Sequence, residues 1–227
     1  MSLPDLVLQT AYGRLAWALV VAAIMLALLP NVRQQSKLLI VGVTAALMAL
    51  PGAASPAYWL TLAFQYPSGL MTGFSVLALR ARWQGRRARY TMPGRLAVGV
   101  AVVGLVLYLD TFGVLALGLY YGGFNPVAAP LLACAAAIGF ALKAWRGQAA
   151  GPSAAMLVAV LLFSLLRLPT GNLWDAMLDP VLWAWALGSV LIAVRHRLAA
   201  HRPRRAHRQH RPEPAQEPAP ARTVAAE

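Results

Sequence analysis

RARWQGRRARYTMPGR, residues 80–95, holds six arginines and no acid, and it separates two of the most apolar stretches of the chain. Before it stands AYWLTLAFQYPSGLMTGFSVLAL (57–79) and after it LAVGVAVVGLVLYLDTFGVLALGLY (96–120). A basic block between two long apolar runs reads as a cytoplasmic loop between two membrane spans. Working outward, five further apolar runs emerge, at 12–30, 38–54, 127–145, 153–168 and 180–195. Basic residues follow the first run (Arg33, Lys37), the third (80–95), the fifth (Lys143, Arg146) and the seventh (Arg195 onward). The gaps between carry almost none. The alternation predicts an all-α integral membrane protein of about seven transmembrane helices, N-terminus outside and C-terminus cytoplasmic. An odd span count is what those two end positions require.

Composition points the same way. Of 227 residues 59% are apolar and 12% charged, and mean hydropathy is +0.60. Seven spans of about 20 residues use nearly everything up to residue 195, which leaves no room for a soluble catalytic domain. The net charge of +13 would suggest nucleic acid in a soluble protein. Here eighteen of the twenty basic residues fall in the four predicted cytoplasmic segments, so topology accounts for the charge and no nucleic-acid partner is expected. Asp5 stands where a cleavable signal would carry basic residues, so the first run is expected to remain as a span. Segments of alternating polarity, the mark of an outer-membrane barrel, are missing. The expected location is a bacterial cytoplasmic (inner) membrane. Tyr12, Trp17, Tyr58, Trp59, Tyr120, Tyr121 and Trp174 lie near predicted outer interfaces, and Trp145 near the inner one.

Two domains follow: a polytopic helical part, 1–195, and a basic tail, 196–227. The tail, rich in Arg, His, Pro and Ala without apolar periodicity, reads as disordered and cytoplasmic. Both it and the Arg80–Arg95 loop are expected to attract anionic membrane lipids. The lone Cys134 excludes a disulfide, and all four histidines lie in the tail. No metal or cofactor is expected.

Within the runs a few polar residues sit deep. Asp110 in the fourth and Arg167 in the sixth each lie about 15 residues, or ~22 Å, from the basic end of their runs. A carboxylate at that depth needs a partner, so the two are expected to pair if their helices touch. In the third run Gln65, Tyr66, Pro67, Ser68 and Gly69 interrupt the helix, because proline lacks a donor and obstructs the turn before it. Such broken helices form binding sites in many transporters. Gly69 and Gly73 also form a small-residue face for close helix packing. The outward loops contribute Asn125, Asn172, Asp175 and Asp179. The last three accompany a short interfacial helix that Asn172 would cap, and the two aspartates, four residues apart, would project together.

The chain has no Gly-rich phosphate loop, HExxH, CxxC or GxSxG, and the outer polar set shows no nucleophile–base pattern. The leading expectation is a non-enzymatic accessory or assembly subunit of a membrane complex, with a membrane-protein partner. The alternative is a small transporter or permease for a small or lipidic substrate. Third comes an outer-face membrane enzyme, which requires Asp110, Asp175 and Asn125 to converge on one cavity.

Overall fold

A computed structural model describes residues 4–29, 31–85, 92, 94–147 and 150–209, with side chains described as far as 199. Every regular element among them is helical. These are α1 (Leu6–Leu28), α2 (Gln34–Ala49), a 3-10 turn (Gly52–Ala54), α3 (Pro56–Phe64), α4 (Gly69–Trp83), α5 (Gly94–Thr111), α6 (Leu119–Gly122), α7 (Ala128–Trp145), α8 (Ala150–Leu166), α9 (Leu173–Met177) and α10 (Pro180–Gln209). Each of the seven apolar runs contains helix. Four segments are long and apolar enough to cross a bilayer unaided: Leu6–Leu28, Gly94–Thr111, Ala128–Trp145 and Pro180–Ala199. The others fall short for visible reasons: α2 has 16 residues and α8 has 17, and the third run is split into α3 and α4. The fourth run also ends as a helix earlier than its composition implies, at Thr111.

Asp5, which argued against a signal peptide, has a local task. Its carboxylate accepts from the amides of Val7 at 2.9 Å and Leu8 at 3.1 Å, and so starts α1. The spanning helices then carry apolar side chains on their outer faces as well as their inner ones. Leu15 on α1, Val102 on α5 and Leu131 on α7 are all exposed. An amphipathic helix of a water-soluble protein would place charge there.

The core forms where small residues let helices close up. On α4, Gly69 lies against Ala159 of α8 and Gly73 against Ala155, a descending register that makes the two helices antiparallel. On α1, Tyr12 reaches Pro67 while Leu26 clusters with Leu79 of α4, an ascending register that makes those two parallel. Helix α10 enters the core through Leu182 and Ala186, both fully buried beside Phe74 of α4. Its Trp183 lies over Gly104 of α5 and donates from Nε1 to the Ala101 carbonyl at 3.0 Å.

The connections sort by end. Lys37 Nζ donates to the Arg82 carbonyl at 2.8 Å, capping the C-terminus of α4 and joining the basic gap after the first run to that after the third. At the other end, Gln9 Nε2 donates to the Pro169 carbonyl at 2.7 Å, Asn172 Nδ2 to the Tyr120 carbonyl at 3.1 Å, and the Leu173 amide to the Gly123 carbonyl at 3.1 Å. The start of α1 and the loops after the fourth and sixth runs therefore meet.

The chain divides into two compact units, Met1–Val190 and Leu191–Glu227. In the second, backbone helix runs on to Gln209, past the residue 196 at which the tail was expected to begin. The reason lies in the composition: Arg, Ala, Leu and Gln are strong helix formers even where no apolar face exists to bury. The rest of the expected tail, 210–227, and the arginines at 86, 87 and 89 lie outside the described residues.

Candidate functional site

The break in the third run begins with Pro67, which keeps Tyr66 out of helical backbone geometry. Helix α3 accordingly ends at Gln65, whose φ of 64° and ψ of −161° are strained for a residue with a Cβ. Ser68 then opens α4 as its N-cap, its Oγ accepting from the Met71 amide at 3.0 Å. Three backbone groups around the break lose their helical partners and are met by α1 and residue 179, while the Ser68 carbonyl keeps the Thr72 amide and gains its hydroxyl as well. Trp17 Nε1 donates to the Gln65 carbonyl at 3.2 Å, and Tyr12 Oη donates to the Pro67 carbonyl at 2.8 Å. Thr72 Oγ1 donates to the Ser68 carbonyl at 3.0 Å. The Ser68 amide goes to Asp179 Oδ2 at 2.8 Å.

Asp179 is thus quite unlike a solvated loop carboxylate. Only 5% of it is exposed, and its second oxygen accepts from the Leu182 amide at 2.8 Å. One carboxylate caps the first turns of α4 and α10 together, at the positive end of both helix dipoles. Burial pushes its pKa up, against the pull of those hydrogen bonds.

Asp110 does not pair with Arg167. Its carboxylate accepts from the amides of Leu117 at 2.6 Å, Gly118 at 2.9 Å and Tyr120 at 3.0 Å. The segment 112–118 curls back round it, helped by Gly113 and Gly118 at φ of 76° and 67°. Arg167 ends α8 with its guanidinium over the Phe163 ring, 5.1 Å from the centroid. Equal depth did not make them neighbours, because α8 packs on α4 and α7 rather than on α5. A double-mutant cycle at Asp110 and Arg167 is expected to give additive losses of thermal stability, and exchanging the two charges is expected to rescue nothing. A coupling comparable to that of a buried ion pair would refute this arrangement.

Asn172 does cap the short α9, its Oδ1 accepting from the Trp174 amide at 2.9 Å. The aspartates that flank it part company. Asp175 accepts from Thr170 Oγ1 at 2.5 Å and from Tyr120 Oη at 3.2 Å, whereas Asp179 turns into the core. Met177 and Leu178, at the end of this short helix, pack against the core. Asn125 caps the chain entering α7, accepting from the amides of Val127 and Ala128 at 2.9 Å each. Asp110 and Asp175 thus hold the amide and the hydroxyl of the same Tyr120, while Asn125 caps α7, and no hydrogen bond among the described residues joins the three side chains directly.

Burial raises the pKa of Asp175 above its ordinary value, with the charge of Asp179 adding to the rise and the bonds from Thr170 and Tyr120 opposing it. A carboxyl raised in the folded state binds its proton more tightly there than in the unfolded chain. Its contribution is greatest below the ordinary carboxylate pKa of about 3.9, and it is lost as pH climbs through the raised value. Melting temperature in detergent should fall across that window, and Asp175→Asn should flatten the fall. An unchanged slope in the variant would assign it to other groups.

Among the described residues no buried side-chain nitrogen or oxygen lacks a hydrogen-bond partner. The deep polar groups are consumed in closing the fold. Comparisons with protein families, with curated proteins and with solved structures give no match to this chain.

Proposed function

We propose that this chain is a seven-span protein of a bacterial cytoplasmic membrane that acts as a non-enzymatic accessory or assembly subunit of a membrane complex. The carrying observation is the use of its polar residues. Gln65, Pro67 and Ser68, which in a transporter would offer free backbone to a substrate, are held by Tyr12, Trp17, Thr72 and Asp179. A broken helix sealed by its own neighbours is a structural device. The seven-span reading, with the N-terminus outside, is supported by the helix registers and by the ends that meet. Lys37 joins Arg82 on the basic end, and Gln9 joins Pro169 on the opposite one. The shorter helices α2 and α8 are compatible with local thinning or with packing on longer neighbours.

Helix α7 supports a partner. It buries only Ala129 and Ala133, and leaves Leu131, Leu132 and Ile138 more than half exposed. Small residues on one face and large apolar ones on the other give a span held by little of its own chain. Transport of a small or lipidic substrate draws support only from a cleft beside Tyr66. Catalysis at the outer face draws no support from the hydrogen bonds of Asp110, Asp175 and Asn125, which go to backbone amides and to Thr170 and Tyr120.

Affinity purification of the tagged chain from native membranes is expected to bring down a membrane protein in fixed stoichiometry. Bulky substitutions at Leu131 and Ile138 are expected to shed it. A solitary, monodisperse particle after mild extraction would sink the accessory reading. Reporter fusions near residue 84 are expected to report cytoplasm, and a periplasmic signal there would reverse the topology.

A further inference from the structure

Three half-buried arginines, Arg14, Arg82 and Arg167, make no side-chain hydrogen bond or ion pair among the described residues, and Arg167 has the Phe163 ring beneath it. Arg14, half-buried on α1, makes no hydrogen bond or ion pair among the described residues, in contrast to Asp110 and Asp179. It lines a cleft of about 260 Å³ between α1, the turn at Gly52 and α3. Tyr58, Thr61 and Tyr66 also line it, and their hydroxyls make no hydrogen bond among the described residues either. Its floor is the Tyr66 ring, which lies so close to Gly13 that a Cβ there would stand 2.5 Å from the ring. The break at Pro67 thus has a second product: it swings Tyr66 against α1 and opens the cleft beside it.

A guanidinium left unpaired beside free hydroxyls is a site for an anion. Its planar fork matches the oxygens of a phosphate or carboxylate, and hydroxyls supply further donors. The volume lies just below the roughly 300–1,000 Å³ of ordinary small-molecule pockets, so it suits a headgroup rather than a large solute. The rim decides between a free anion and one attached to acyl chains. Leu62 lines the cleft with 63% of its surface outside, and Trp59 and Leu15 beside it are exposed to a similar degree. Those groups would be wasted on a dissolved ion and are suited to lipid tails. Tyr58 and Trp59, edge to face at 5.3 Å, are the aromatic types that favour headgroup depth.

We propose that this cleft holds the phosphodiester headgroup of an anionic lipid, with the Arg14 guanidinium on the phosphate and the Tyr58, Thr61 and Tyr66 hydroxyls around it. The site lies on the side of the fold away from Lys37 and Arg82, so it is distinct from the lipid attraction of the basic loops. It rests on the helices being in a membrane, not on the accessory role.

The test uses the full chain purified alone in detergent, so the presence of a protein partner does not enter. Native mass spectrometry is run with added phosphatidylglycerol, with phosphatidylcholine, and with phosphatidylglycerol in competition with inorganic phosphate. The wild type is expected to retain one phosphatidylglycerol in preference to phosphatidylcholine, with little displacement by phosphate. Arg14→Gln is expected to weaken that retention by about tenfold or more, the effect of one lost charge-assisted contact. Arg14→Lys is expected to recover part of it, and Arg33→Gln, at the opposite end of α1, to leave it unchanged. A thermal melt of each variant confirms that it is folded. Equal retention by Arg14→Gln, equal loss in Arg33→Gln, or no retained lipid would overturn the proposal. Displacement by inorganic phosphate at comparable concentration would overturn the lipid assignment in favour of a free anion.

Discussion

Asp179→Ala is expected to destabilise the protein by about 3–5 kcal/mol, since hydrogen bonds to a charged group contribute about 1.5–3 kcal/mol each and two are lost together. The Ser68 and Leu182 amides would be left in the core without acceptors, at sites closed to water. Alanine relieves the cost of burying the carboxylate, but it leaves two orphan donors behind. Asp179→Asn should fall between, keeping one acceptor for Leu182 and turning an amide nitrogen against the Ser68 N–H. Asp5→Ala is the control, because the same residue type caps α1 at an exposed site, where the loss is typically near 1 kcal/mol. Thermal or denaturant unfolding in one detergent compares all three. If Asp179→Ala and Asp5→Ala cost the same, residue 179 does not bind both helix starts.

The second large effect lies on the seam between α4 and α8. A Cβ added at Gly69 would stand 2.8 Å from Ala159 Cα, and one at Gly73 would stand 2.8 Å from Ala155 Cβ. One obstacle is backbone and the other the Cβ of an alanine, which has no rotamers, so no side-chain rearrangement relieves either. Gly69→Val or Gly73→Val should each cost about 1–3 kcal/mol through overpacking. Combining them should cost less than the sum, because the first substitution already parts the helices. Gly42→Ala on α2 meets nothing within 4 Å and should be neutral or slightly stabilising. Tolerance of valine at both seam positions, with unchanged melting, would mean that the helices do not touch there.

Some of this was legible in the residues and some was not. Apolar runs, the break at Pro67, the close-packing glycines at 69 and 73 and the Asn172 cap all rest on interactions within a few residues, or on side-chain size. Such features survive any uncertainty about which helix neighbours which. The partners of Asp110 and Asp179 were another matter. Depth along a helix gave Asp110 and Arg167 the same level, but level says nothing of lateral order around a bundle. A closer signal was available: the glycines at 113 and 118 let the chain fold back on the carboxylate just before them. Asp179 offered no such sign. Asp175 and Asp179 look equivalent in sequence, and only contact with Ser68, 111 residues away, separates a core residue from a loop residue. Arg14 carries no such sign either, because a single basic residue on an apolar run announces no cleft.

The bond between Ser68 and Asp179 also fixes an order of events. Ribosomes deliver residue 68 long before residue 179, so the nascent third segment must wait, with its amide unsatisfied, until nearly the whole polypeptide has been made. That junction can therefore close only late in synthesis, and chains truncated before residue 179 are expected to be cleared faster by quality-control proteases than the full chain.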